Sequence, residues 1–199
     1  MTRREVIKQT ALLTGYALTA SMMQGILSGC QATGAAEWTP QYFTKNQADF
    51  VSALTDVILP RTSTPGALDA GVPEFIDLMV KDLLEERERR AFLMGLKEVD
   101  AAAFKEFGKG FLELPRSRQE ELLVKIESAE VLNEIDRREK RATDWNYPFF
   151  LRFKQMTLAG YFTSELVGLN VTNYDPTPGA YRGCIPLSEV PKGRIWSSI

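Results

Sequence analysis

The sequence predicts an all-α protein, an irregular bundle of five or six helices followed by a long Pro/Gly/aromatic arm. Three observations predict it. Apolar residues recur at the i, i+3, i+4 spacing of a helix through most of residues 44–167. Helix start and stop signals punctuate that stretch. No segment shows a convincing period-two alternation, and the last thirty residues are too rich in Pro and Gly for regular structure.

In chain order, residues 30–43 read as a tether, small and polar until Trp38, Tyr42 and Phe43. Thr44 with Gln47 three residues later forms a capping box. It opens a helix whose apolar face is Phe50, Val51, Leu54, Val57 and Ile58, and Pro60 ends it. Residues 60–73 are a loop by composition, with Pro65-Gly66 as the turn signal. A second helix follows, with Phe75, Ile76, Met79, Val80, Leu83 and Leu84 at helical spacing. Glu85 to Arg90 is a mixed-sign charge run, read as a solvated face laced with i,i+4 pairs. The apolar pattern resumes at Phe92, Leu93, Leu96, Val99, Ala103, Phe104 and Phe107, and Gly108 and Gly110 close it. Leu114-Pro115-Arg116 starts another helix leading to Leu122, Leu123 and Ile126, and a charged stretch with Val131, Leu132 and Ile135 follows. The last strong pattern is Phe149, Phe150, Phe153, Met156, Thr157, Gly160 and Tyr161, running to Glu165. Residues 168–199 carry four Pro and the aromatics Tyr174, Tyr181 and Trp196. A merely solvated tail is charged and poor in apolar residues. This arm is expected to pack on its own bundle or on a partner protein.

The first 29 residues read as an export signal. A basic start containing Arg3-Arg4, in the manner of a twin-arginine leader, precedes a mildly apolar run too interrupted by Thr, Gly, Ser and Gln for a confident membrane span. Leu27-Ser28-Gly29-Cys30 resembles a bacterial lipobox, which makes Cys30 the expected lipidation site. Each buried methylene of an acyl chain contributes about 0.8 kcal/mol, so a multiply acylated Cys30 anchors firmly. The alternative is a signal-anchor helix that stays attached, with Cys30 a chance thiol. Cleavage before Cys30 removes three of the 24 basic and one of the 26 acidic residues and leaves a net charge of −4. Attraction to anionic lipid then contributes nothing, and the acyl chains alone hold the membrane. Lipidation also leaves Cys184 as the second of two cysteines without a partner in the chain: bridged to another protein, free and buried, or functional.

The chain of 199 residues holds no histidine and carries a net charge of −2. That excludes His-based triads, His-ligated zinc or non-haem iron, and bis-His haem. The slightly acidic balance gives no nucleic-acid footprint, which needs a basic face. No Gly-rich dinucleotide fingerprint or phosphate loop occurs. The acid pairs Asp69 with Glu74 and Glu165 with Asp175 are indistinguishable from caps and surface acids. Lys154 and Tyr161 lie on the helix with the main apolar stripe and read as core or rim positions. No site in the chain signals an autonomous enzyme.

Two stretches carry a resemblance. One is Thr62-Ser63-Thr64-Pro65-Gly66-Ala67-Leu68-Asp69-Ala70-Gly71-Val72-Pro73-Glu74-Phe75-Ile76-Asp77. The other is Gly160-Tyr161-Phe162-Thr163-Ser164-Glu165, continuing to Tyr174-Asp175-Pro176-Thr177-Pro178-Gly179-Ala180-Tyr181-Arg182-Gly183-Cys184-Ile185-Pro186-Leu187. Together, over about residues 44–190, they resemble the gluconate 2-dehydrogenase subunit 3 family, the small gamma subunit of periplasmic flavin-dependent sugar dehydrogenases. The pattern departs at Leu166-Val167-Gly168, where members often have Ile-Gly directly after the Glu.

The resemblance implies a non-catalytic partner of a large flavoprotein that oxidises a sugar or sugar acid, often with a cytochrome c as electron acceptor. It implies FAD in that large subunit and no cofactor in this chain. It also implies help with export and maturation, because a twin-arginine leader can carry an already folded companion. The expected partner contacts are Pro65, Gly66, Tyr161, Tyr174, Pro176, Pro178, Gly179, Tyr181 and Cys184. The competing expectation is a stand-alone envelope lipoprotein, a helical binding or scaffold module.

Overall fold

The computed structural model describes residues 38–139, 148–175, 179, 184–190 and 193–196. Among them are six α-helices and no strand: α1 Lys45–Ile58, α2 Val72–Asp82, α3 Glu86–Phe107, α4 Arg116–Glu139, α5 Phe149–Phe162 and α6 Glu165–Asn170. Two single 3-10 turns, Phe111–Glu113 and Leu187–Glu189, and one isolated parallel bridge between Asn173 and Trp196 complete the regular structure.

Local chemistry sets the helix ends. The Thr44 hydroxyl accepts from the Gln47 N–H, and the Gln47 side chain accepts from the Thr44 N–H, so the expected capping box opens α1. Gly71 takes a left-handed φ of 67° ahead of α2, which only glycine adopts at no steric cost, and Pro73 sits in the first turn. The helix therefore begins inside what the composition marks as loop. The Glu85–Arg90 charge run is the opening turn of α3, where Glu85 and Glu88 form a second capping box. Most of it is the solvated face expected, with Glu85, Glu86, Arg87 and Arg90 exposed and Glu86 paired to Arg90 at i,i+4, while two residues turn inward. Glu88 is half-buried, accepting from Arg152 of α5 at 3.0 Å, and Arg89 lies over the Tyr42 ring and donates to the Lys81 carbonyl. The Glu85 N–H, and secondarily Arg152, hold the Glu88 carboxyl below its ordinary value. Gly108, with φ of 71°, ends α3 in the left-handed conformation.

Helix α5 is the centre of the bundle and packs against all five other helices. Its inward face presents Phe150, Phe153, Thr157, Gly160 and Tyr161, all buried. Two glycines let neighbours come close. Gly95 of α3 lies under the Phe149 ring, where a Cβ would stand 2.1 Å from that ring. Gly160 takes the Phe75 ring of α2 in the same way, with 2.6 Å to a would-be Cβ. Phe92, Phe149 and Phe153 form one aromatic cluster with centroids 5.3–6.1 Å apart, and Phe43 stacks on Phe92 at 5.8 Å.

Phe43 precedes α1, and Asp77 holds it there. The Asp77 carboxylate is 1% exposed and accepts from the backbone N–H groups of Gln41 (2.6 Å), Tyr42 (3.2 Å) and Phe43 (2.8 Å). A buried carboxylate is tolerable because three donors replace its water. Glu130 of α4 accepts from the Phe150 and Leu151 N–H groups, capping α5 from another helix. Burial pushes the Glu130 carboxyl above its ordinary value despite those two bonds, and Glu98 and Glu127 nearby add to the rise.

Helix α4 is one continuous element joining two stretches that read separately in the sequence. Leu122 and Leu123 are buried, whereas Val131, Leu132 and Ile135 face outward.

Candidate partner-binding surface

The structure joins the two family-like stretches. The Tyr161 hydroxyl donates to the Pro65 carbonyl at 2.8 Å across 96 positions of sequence. Beside it, Asp69 accepts from the Gly66 N–H at 2.8 Å and from Arg61 Nε at 2.7 Å, with a second Arg61 nitrogen paired to its other oxygen. A Cβ at Gly66 would meet the Arg61 amide nitrogen at 2.5 Å, so the loop is folded tightly back on its own backbone. Gly66 and Tyr161 are buried and Pro65 half-buried. These three expected contact residues therefore brace the loop against α5 from within. Asp69 is spent on the same brace, and Lys154 on Glu127 at 2.6 Å.

The exposed surface lies just beyond. Ser164 caps α6 by accepting from the Val167 N–H, and Val167 and Gly168 are the residues α6 buries. The chain then turns at Thr172, whose hydroxyl bonds back to α6, and Asn173 meets the returning C-terminal segment. The Asn173 N–H donates to the Ile195 carbonyl at 2.8 Å and its side chain to the Arg194 carbonyl at 2.6 Å. Arg194 in turn donates to the Asn170 carbonyl at 2.6 Å. This stitching holds Leu166, Leu169, Tyr174, Ile195 and Trp196 outward, exposed by 37, 59, 46, 66 and 50%. Two adjoining clefts of about 340 and 290 Å³ share Gly168, Leu169 and Tyr174. Glu165, Asp175 and Arg194 give the surface a polar rim. Apolar and aromatic side chains gathered at clefts with a charged rim are what a protein-docking surface requires.

Of the expected contact residues, Tyr174 belongs to this surface, and Gly179 and Cys184 are exposed. Cys184 is a free thiol, which removes the buried reading of it. Arg3, Arg4, Cys30, Pro176, Pro178 and Tyr181 lie outside the described residues. Leu166, Leu169 and Ile195 escaped the sequence reading. Their one signal is that they are bulky apolar residues beside a glycine, a turn or a proline-rich arm, where periodicity assigns no face. Among the described residues no three metal-ligating side chains converge, and no helix is long and apolar enough to cross a membrane.

A family model described as gluconate 2-dehydrogenase subunit 3 matches residues 45–179, from the first residue of α1 through Tyr174 of the exposed surface. No curated protein and no solved structure matches the chain.

Proposed function

The chain belongs to the gluconate 2-dehydrogenase subunit 3 family, and from that membership we propose that it is the non-catalytic small subunit of a membrane-associated, flavin-dependent sugar or sugar-acid dehydrogenase. The family match across the whole helical body carries this reading. In it, FAD and the catalytic base belong to the large subunit, and a cytochrome c takes the electrons. The Arg3-Arg4 leader exports the pair, the small subunit supports folding and stability of the large one, and an acylated Cys30 anchors the complex. The α6 surface supplies the contact, with Leu169 and Trp196 as its most useful probes. A docking surface of this kind concentrates its energy in a few aromatic and apolar anchors.

The test is co-expression with the large flavoprotein and purification through a tag on this chain. The pair is expected to carry flavin and to oxidise sugar, and this chain alone to do neither. Leu169→Glu and Trp196→Glu are expected to reduce co-purification with the helical signal unchanged. Sugar oxidation by the purified single chain overturns the proposal. A large subunit that matures and functions equally well without this chain points instead to the stand-alone envelope module. For the anchor, Cys30→Ser should shift the protein out of the membrane fraction, and an unchanged mass and fractionation would remove the lipid.

A further inference from the structure

We propose that the groove between α1 and α3 is a second docking site, separate from the α6 surface, and that it takes an acidic amphipathic helix of the large subunit. This rests on the accessory-subunit reading for the identity of the partner, and on the groove itself for the partner's chemistry.

The groove encloses about 550 Å³, with Phe50 and Leu96 in its floor and Leu93, Ala101 and Phe104 along one wall. Phe104 stands about 140° around α3 from Val99, off the stripe of Phe92 and Val99, which are each 3% exposed, and on the side that lines the groove with Leu93 and Ala101. The bundle covers those two and leaves Phe104 66% exposed. An aromatic ring kept at the edge of an apolar trough lacks a cover rather than a core.

The charges define what the cover carries. Lys45, Lys81, Lys125 and Lys154 each have a carboxylate within ion-pair distance. Lys97 and Lys105, which flank the groove, make no ion pair among the described residues. They are eight positions apart on one helix, about 12 Å along its axis, with Ala101 midway. Attraction of anions by net charge is excluded, because the chain as a whole is acidic. The complement is an apolar ridge with carboxylates on its flank at a similar spacing. A helix ridge lying in the trough between two helices has that shape.

A flat anionic bilayer fits less well. The trough is concave, which suits a helix ridge and not a flat face, and Asp100 lines it beside Lys97 and Lys105. Asp100 accepts from the Phe111 N–H at 2.8 Å, so its carboxylate is engaged by the protein's own backbone.

The experiment measures binding of separately purified large flavoprotein to the Cys30→Ser form of this chain, at low and high salt. Three variants are compared: the double reversal Lys97→Glu/Lys105→Glu, Phe104→Ser, and Leu169→Glu on the other surface. All replace exposed side chains, and circular dichroism checks that each variant folds. The double reversal should weaken binding roughly tenfold or more and reverse its salt dependence, since like charges across an interface repel and salt screens that repulsion. Phe104→Ser should weaken binding at every salt concentration. Binding by wild type that the double reversal and Phe104→Ser leave intact, while Leu169→Glu abolishes it, overturns the groove and leaves the accessory-subunit reading standing. No binding by wild type overturns both. Adsorption of the Cys30→Ser protein to phosphatidylglycerol vesicles, lost in the double reversal, assigns the groove to the membrane and overturns the protein partner. Self-association lost in the same variant assigns it to a second copy, with the same consequence.

Discussion

Removing the Asp77 carboxylate should unfasten the segment that leads into α1. Asp77→Ala takes away the acceptor for three backbone N–H groups, at 2.6, 3.2 and 2.8 Å. Bonds to a charged group contribute about 1.5–3 kcal/mol each, and neighbours on one acceptor do not add fully. Gln41 is exposed and its N–H returns to water, whereas Phe43 is 5% exposed and its N–H is stranded. One stranded donor costs about 1–3 kcal/mol, and the two wetter bonds together lose about 2. The expected destabilisation is therefore about 4 kcal/mol. It falls on a segment whose Phe43 ring stacks on Phe92 and whose Tyr42 ring lies under Arg89, so part of the aromatic cluster loosens with it. For a chain of this length each kcal/mol lowers Tm by about 2–4 °C, giving a fall of roughly 8–16 °C. Asp77→Asn keeps the shape and one acceptor oxygen but turns an NH2 group toward donors, and should fall between Ala and wild type. Urea denaturation of the purified protein, followed by circular dichroism, reads both variants. A loss below about 1 kcal/mol for Asp77→Ala would show that the three contacts add nothing net over water.

Two further outcomes follow from geometry already described. Gly160→Ala places a methyl 2.6 Å from the Phe75 ring, and the ring must move between packed helices. This should cost about 1–3 kcal/mol and be partly restored in Gly160→Ala/Phe75→Leu, so equal losses in single and double variants would refute the close approach. Glu130 supplies a pH signature. Its carboxyl titrates above the ordinary 4.5 when folded, so the folded state binds the extra proton and stability declines as pH rises from 4.5 through the raised value. Glu130→Gln lacks that dependence. The stability difference, wild type minus Glu130→Gln, should be largest near pH 4.5 and shrink toward neutrality, and a flat difference would contradict the desolvated cap.

Legibility along the chain tracked how local the cause was. The Thr44–Gln47 box and the Gly108 stop are complete within a few residues, and both stand where the sequence puts them. The start of α2 was displaced because Pro73, a loop signal by composition, is equally at home in a first helical turn. The charge run at Glu85–Arg90 is mostly solvated, as its composition implies, whereas the inward turn of Glu88 and Arg89 is not legible because their partners, Arg152 and Tyr42, are far away in sequence. At the candidate site, Tyr174 was legible as an aromatic in a proline-rich arm. Leu169 and Ile195 were not, because a six-residue helix and a turn have no apolar period from which to infer a face.

The amino-acid sequence by itself determined the helical class, most helix boundaries and the absence of histidine chemistry, since all of these follow from residue type and near-neighbour spacing. The two family-like stretches were also there to be read. The tertiary structure decided which residues in and around them lie inside and which outside. Gly66 and Tyr161 lie inside, fixed by one hydrogen bond spanning 96 positions, while Leu169 and Trp196 lie outside, held by the return of the chain to Asn173. Burial is set by which distant segments meet, and spacing along the chain carries no record of that meeting.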